Sequence, residues 1–300
     1  MRLPIVHHPD YDARFDTAHR FPMGKYRRLM EVLHERGIAA AADLHPSIPA
    51  DPEALCLAHD AAYVSQVLAF AVPAPIEREI GFPVDERVSR RAQLASGGTV
   101  LAARLALQHG IACNTAGGSH HARRTQGAGF CTFNDVGVAA SLLLEEGFGG
   151  QILVLDLDVH QGDGTADIFA AESRVFTFSL HGERNYPVRK IPSELDIGLA
   201  DGTDDAAYLE ALRAALRLLS DRVSPGLVFY NAGVDPHRDD RLGRMALSDD
   251  GLRDRDRLAI GHFRDRGIPV CGVIGGGYSK DIDSLAARHA ILFEVAAEFA

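Results

Sequence analysis

The sequence has no run of about 18 apolar residues, so no helical membrane span is expected. Its four cysteines, Cys56, Cys113, Cys131 and Cys271, show no Cys-x-x-Cys spacing. That argues against a disulfide framework and fits a reduced, cytoplasmic protein. The opening residues, Met1-Arg2-Leu3-Pro4-Ile5-Val6-His7-His8, lack the apolar stretch of a signal peptide, so export is not expected. There is no basic excess: the formal net charge is -10. This disfavours nucleic acid as a partner and mildly favours cationic ligands. No internal repeat and no low-complexity tract interrupts the chain.

What is present is a 300-residue chain that is 46% hydrophobic, enough for a large core. Helical periodicity with glycine stops predicts helices over Met23 to Arg36, Gly98 to His109, Asp135 to Glu146, Asp204 to Leu219 and Leu252 to Arg266. Apolar, β-rich runs predict strands at Ile152–Leu155, Arg174–Phe178, Leu227–Asn231 and Val270–Ile274. Alternating strands and helices imply an α/β fold with a mainly parallel sheet flanked by helices. Pro73 to Pro83 holds three prolines and reads as a surface loop too short to link domains. Residues 1–300 are therefore expected to form a single domain.

The chemistry concentrates where strands end. Ile152-Leu153-Val154-Leu155 runs into Asp156-Leu157-Asp158-Val159-His160-Gln161-Gly162-Asp163. Alternate residues of an extended segment share a face, so Asp158 and His160 can reach one metal. A structural role explains one such Asp, but poorly explains two Asp and a His. A second strand, Val228 to Asn231, leads to Asp235. A helix cap would explain Asp235 alone; with Asp158 and His160 it completes three N and O donors. Such a set suits catalytic zinc, with Fe(II) also open, and supplies one metal rather than two. His237 ranks below Asp235, because Pro236 and the charged run after it suggest exposed loop.

Gly117-Gly118-Ser119-His120-His121 sets two imidazoles in a tight loop, which favours acid–base work over a surface pair. His7-His8 reads as a surface pair. Next, Gly127-Ala128-Gly129-Phe130-Cys131-Thr132-Phe133-Asn134-Asp135 ends with a helix cap at Asn134 or Asp135. Its Phe130 is either core or pocket lining, and Cys131 is better read as buried than as a nucleophile. Finally, Gly275-Gly276-Gly277 lets a ligand approach the main chain, and Tyr278 can offer it a phenol.

Gly-Gly-x-His-His-Ala, Gly-Phe-Cys-x-Phe-Asn-Asp, Asp-x-Asp-x-His-x-Gly-Asp-Gly-Thr and Gly-Gly-Gly-Tyr occur in this order between Gly117 and Tyr278. Together they resemble the histone deacetylase superfamily, which includes acetylpolyamine amidohydrolases and acetoin-utilisation proteins. Tyr230 to Asp235, Asp240 to Gly243 and Asn185-Tyr186-Pro187 look most like the class IV branch.

The resemblance implies an arginase/deacetylase fold and metal-dependent hydrolysis of N-acyl-lysine. It assigns zinc to Asp158, His160 and Asp235. It pairs His120 with Asp156 and His121 with Asp163, and gives Tyr278 the substrate carbonyl. Gly129, Phe130, Tyr186 and Gly276 would contact substrate, the two aromatics along the acyl-lysine stem. A structural potassium is expected near Asp156, Ser179 and Leu180, with main-chain oxygens of Asp158 and His160. His121 is expected to act as the main acid–base and His120 as its electrostatic partner. Lys25 would stand beside an internal channel.

The rival reading is an amidohydrolase of a small acetylated amine, such as a polyamine. No long loop insertion is evident, which favours an open site and the peptide substrate. Longer acyl chains on lysine are a further option. A non-catalytic acyl-lysine binder is a reading of another class. It fits less well, because ligands, histidines and tyrosine are all present.

Overall fold

The computed structural model describes residues 2–300. Its strands, in chain order, are β1 (Pro4–His7), β2 (Asp43–Pro46), β3 (Ile111–Asn114), β4 (Gln151–Asp156), β5 (Val175–Gly182), β6 (Leu195–Leu199), β7 (Pro225–Asn231) and β8 (Val270–Val273). They form one sheet in the order β2-β1-β3-β8-β7-β4-β5-β6. Every pairing is parallel. Parallel neighbours need long crossovers, and helices provide them.

The α-helices are α1 (Lys25–Glu35), α2 (Ile38–Ala41), α3 (Pro52–Ala58), α4 (Ala61–Leu68), α5 (Ala74–Ile80) and α6 (Glu86–His109). They continue with α7 (Asp135–Glu145), α8 (Asp163–Phe169), α9 (Asp205–Arg222), α10 (Asp249–Arg264) and α11 (Ile282–Ala297). The long α6 packs against β1, β3, β8 and α7, while α11 packs against α1 and α10. Central strands are continuous apolar runs. Ile152 to Leu155 of β4 and Leu227 to Tyr230 of β7 are buried throughout, as a sheet covered on both faces requires. No described helix is long and apolar enough to cross a membrane.

All four predicted strands and all five predicted helices are found, with ends shifted by a few residues. The largest difference is α6, which starts at Glu86 rather than Gly98. Glycines at 97 and 98 read as a break, but they serve close packing: a Cβ on Gly97 would lie 1.9 Å from the Ile48 carbonyl oxygen. Asp85 caps the true start, accepting from the Val88 amide. Pro73 to Pro83 is not a loop throughout, because it carries α5. Proline is tolerated in a first helical turn, and Gly81 with φ +98° stops the helix. The strands β1, β2, β3 and β6 are not among the predicted ones.

Strand order decides where the site forms. β3 and β4 follow one another along the chain, yet β8 and β7 lie between them. The loops leaving the carboxyl ends of β3, β4, β7 and β8 therefore open side by side. Ligands of open α/β sheets bind at such a reversal.

Candidate active site

Each of those four loops delivers a predicted group. β4 ends at Asp156 and the next turns present Asp158 and His160, with Asp163 opening α8. β7 leads to Asp235, β8 to Tyr278, and β3 to His120 and His121.

Asp158, His160 and Asp235 converge, with their ligand atoms all within 4.8 Å of one another. His160 Nδ1 lies 3.1 Å from Asp158 Oδ1 and 3.0 Å from Asp235 Oδ2. Both carboxylates are fully buried. Backbone amides hold them: Val159 donates to Asp235 at 2.9 Å and Gly276 to Asp158 at 2.7 Å. Gly276 has to be glycine, since a Cβ there would sit 2.2 Å from Asp235 Oδ2. Burial, with the Asp158 charge next, pushes Asp235 up to about 7. Burial opposes charge on His160, but its bonds to Asp158 and Asp235 outweigh that and raise it to about 10. Two adjacent buried carboxylates call for positive charge between them. A divalent cation fits this donor set.

The two neighbouring histidines each carry a carboxylate. His120 Nδ1 is 2.6 Å from Asp156, and His121 Nδ1 is 2.6 Å from Asp163. A carboxylate only accepts, so each Nδ1 carries hydrogen and Nε2 is left as the second nitrogen. Their charge states diverge. Burial works against protonated His120, but Asp156 and Asp158 overcome it and raise the pKa to about 9. Burial and the His120 charge hold His121 down at about 4, despite Asp163. These opposite shifts favour a neutral His121 and a protonated His120.

Tyr278 is buried, and burial holds its phenol well above the ordinary value, so it remains a donor. Its hydroxyl has no hydrogen-bond partner among the described residues. His121, His160, Tyr278, Gly129, Phe130 and Tyr186 all line one pocket of about 330 Å³. Phe130 stacks on Phe82, and the Tyr186 ring stands perpendicular to His121 with centroids 4.7 Å apart. Phe130 thus lines the pocket and packs on the core at once.

Other predicted positions fall out differently. Ser179 lies opposite Asp156 in the β4–β5 pairing, with Leu180 next to it. Ser179 Oγ is 3.0 Å from His181 Nδ1. Lys25 is buried under the glycine loop and donates to the Gly275 carbonyl. It does not line the adjoining cavity of about 20 Å³, which Phe21, Tyr26 and Arg91 border instead. His237 is buried rather than exposed, with Nε2 3.2 Å from Asp249, because the loop folds back along Leu247. His7 is half-buried, with its Nδ1 2.7 Å from Thr115 Oγ1. Cys131 is buried and its thiol is pushed up to about 12 by that burial, which removes it as a nucleophile.

Of the two expected caps, Asn134 is the one that caps α7. This frees Asp135 to bind the amides of Gly118 and Ser119 and fix the histidine loop. Several supporting residues escaped the sequence reading. Arg123 pairs with Asp163 at 2.8 Å, and Asn231 donates to Asp156 at 2.9 Å. Asp240 accepts the Tyr278 amide at 2.7 Å. Fully buried Arg255 donates to the carbonyls of Leu157, Ala232 and Gly233, and pairs with Asp256 at 2.8 Å. It thereby ties together the two strand ends that precede Asp158 and Asp235. A lone arginine that is 22 positions from the carbonyl it binds leaves no spacing signal. Arg123, two residues after His121, and Asn231 and Asp240, inside the motif segments, stood close enough to be suspected, but no role was read for them.

Comparison with known proteins agrees with this geometry. The family model of the histone deacetylase domain matches residues 19–293. An uncharacterised protein of Picosynechococcus sp. is 46% identical over 99% of this chain and 99% of its own. Histone deacetylase 2 of Arabidopsis thaliana is 29% identical over 93% of this chain and 75% of its own. Among solved structures, an HDAC homologue from Aquifex aeolicus matches with a TM-score of 0.82 at 25% identity, over 99% of this chain and 84% of that one. Acetylpolyamine aminohydrolase from Burkholderia pseudomallei shares the fold, with a TM-score of 0.79 at 23% identity over 98% of both chains. The parallel sheet is thus the arginase/deacetylase fold that the motifs led one to expect, and the chain belongs to the histone deacetylase family.

Proposed function

We propose that the protein removes acyl groups from N-acyl-lysine by metal-dependent amide hydrolysis. One observation carries this reading: His121, Tyr278 and His160 line a single pocket with Phe130 and Tyr186, and His160 is grouped with Asp158 and Asp235. Asp158, His160 and Asp235 would hold zinc, or Fe(II), as an N and O donor set does. When bound, the metal supplies Lewis acidity to the reacting carbonyl and acidity to water. A structural potassium would sit by Asp156, Ser179 and Leu180.

The chain's own groups do the remainder. Phe130 and Tyr186 flank the aliphatic stem of the substrate. Tyr278 donates its phenolic hydrogen to the carbonyl oxygen as negative charge grows there. His121, neutral with Nδ1–H held by Asp163, takes the proton of attacking water at Nε2. The new C–O bond forms, and the C–N bond then breaks. His121 returns the proton to the departing lysine nitrogen, and the second water proton passes from the new acid to the amine, leaving an ammonium and a carboxylate. His120, cationic beside Asp156, favours the developing negative charge and keeps His121 unprotonated.

The test compares wild type with Tyr278→Phe on an acetyl-lysine peptide. Loss of one such donor costs about 10²–10³ in kcat. Undiminished turnover by the variant would remove the assigned role.

A further inference from the structure

We infer that the site selects acyl-lysine flanked by acidic residues, and disfavours basic peptide tails and polyamines; this rests on the lysine-deacylase reading above. The pocket mouth is lined by Arg20, Arg78, Arg184 and Arg244, with Glu79 as the one acid among its lining residues. All five are exposed. They come from separate segments: the loop before α1, α5, the turn after β5 and the loop after β7. The arginines therefore come from four separate segments rather than one run.

Little in the protein neutralises them. Arg78 and Arg184 have neither a side-chain hydrogen bond nor an ion pair among the described residues. Arg20 has only the Phe130 ring, 5.8 Å from its guanidinium carbon. Arg244 is loosely paired with Asp201 at 3.5 Å. Glu79 is itself engaged by Gln126 at 2.7 Å. The chain as a whole carries a formal charge of -10, so this cationic mouth runs against the bulk balance. Asp158 and Asp235 are buried and do not line this pocket, and a cation held between them would offset their charge.

Substrate geometry puts the selection at that mouth. The acyl-lysine stem fills the space between Phe130 and Tyr186, so the peptide main chain crosses the opening. Its neighbouring side chains then lie against the arginines. Guanidinium groups bind carboxylates through paired N–H donors. A lysine or arginine there meets like charge, as does the distal ammonium of an acetylpolyamine.

The experiment compares acetyl-lysine peptides with Asp/Glu, Ala/Ser or Lys/Arg flanks, and acetylputrescine, at low and high salt. Wild type and an Arg78→Glu/Arg184→Glu variant are assayed. The acidic peptide is expected to exceed the basic one by about 10-fold or more in kcat/KM at low salt, as charge complementarity allows. The difference should lie in KM, shrink with added salt and reverse in the variant. Equal turnover of all peptides, a basic preference, or a preference untouched by salt and by the variant would overturn the inference alone. Turnover of acetylputrescine only would overturn it together with the lysine substrate. Turnover of none would overturn the deacylase reading beneath it.

Discussion

His120 and His121 are adjacent in the chain and take opposite charge states, because their surroundings differ. His120 faces two carboxylates, Asp156 and Asp158, whereas His121 faces Asp163, itself shared with Arg123. Burial and the neighbouring imidazolium then keep His121 neutral. The sign for activity follows: a base with a lowered pKa stays competent as pH falls below the ordinary histidine value of 6.5. The acid limb of kcat/KM is expected below that value. Replacing His120 with Gln removes the cation that depresses His121, so the limb should move upward; a pH–rate profile checks both. Asp163→Asn leaves His121 without the partner that fixes its tautomer. A loss of about 10²–10⁴ in kcat is expected. Metal content by mass spectrometry should stay unchanged, which separates this from collapse of the site. At this scale the motifs were legible because each placed several reactive groups a few residues apart. The role of Asn231 was not, although the residue stands in one of the motifs, since its partner Asp156 is 75 positions away; Arg255, a single polar residue, carries no period at all.

Elements are held to one another by buried polar side chains as much as by apolar packing. His59, at the end of α3, is a case. Its Nδ1 donates to the Arg123 carbonyl at 2.9 Å, and its Nε2 accepts from the Asn134 amide at 2.9 Å. It thus joins α3 to the histidine loop and to the cap of α7. Accepting at Nε2 requires the neutral ring, and burial lowers its pKa to about 4. Because the unfolded chain binds this proton more readily, the contribution is full above pH 6.5. It is lost as pH falls toward 4. His59→Ala is expected to cost about 1–3 kcal/mol in urea unfolding at about pH 7. It should also flatten the dependence of stability on pH between 6.5 and 4. Arg255→Met leaves Asp256 buried without its partner, for an expected loss of about 3–5 kcal/mol. Thermal unfolding measures it. Helix periods and caps revealed five helices from sequence. The early part of α6 was missed because glycines chosen for close packing look like a helix stop.

For the whole molecule, the alternation of strands and helices was enough to predict a parallel sheet. The strand order that separates β3 from β4 was not, because pairing across β7 and β8 is decided by packing far apart in sequence. Net charge is likewise too coarse to place charge within the molecule. An overall excess of acid says nothing about the arginines gathered at one opening. The gathering of four loops at one end of the sheet would also make metal binding a whole-molecule property. The proposed ligands follow β4 and β7 and join distant segments, so a metal that binds only the folded state would stabilise it by mass action. At a free concentration about 100 times Kd the gain is about 2.7 kcal/mol. Zinc should raise the melting temperature of the metal-free wild type and leave Asp235→Ala unmoved, as differential scanning fluorimetry can show.

The most direct measurement follows amine release from an acetyl-lysine peptide while metal content is recorded on the same samples. Wild type, metal-stripped wild type, the re-metallated protein and the Asp158→Ala/Asp235→Ala variant are compared. Activity is expected to disappear with the metal and return with about one equivalent of zinc or Fe(II), with none in the variant. Full turnover by metal-stripped protein, or by the double variant, would contradict amide hydrolysis at the Asp158–His160–Asp235 centre.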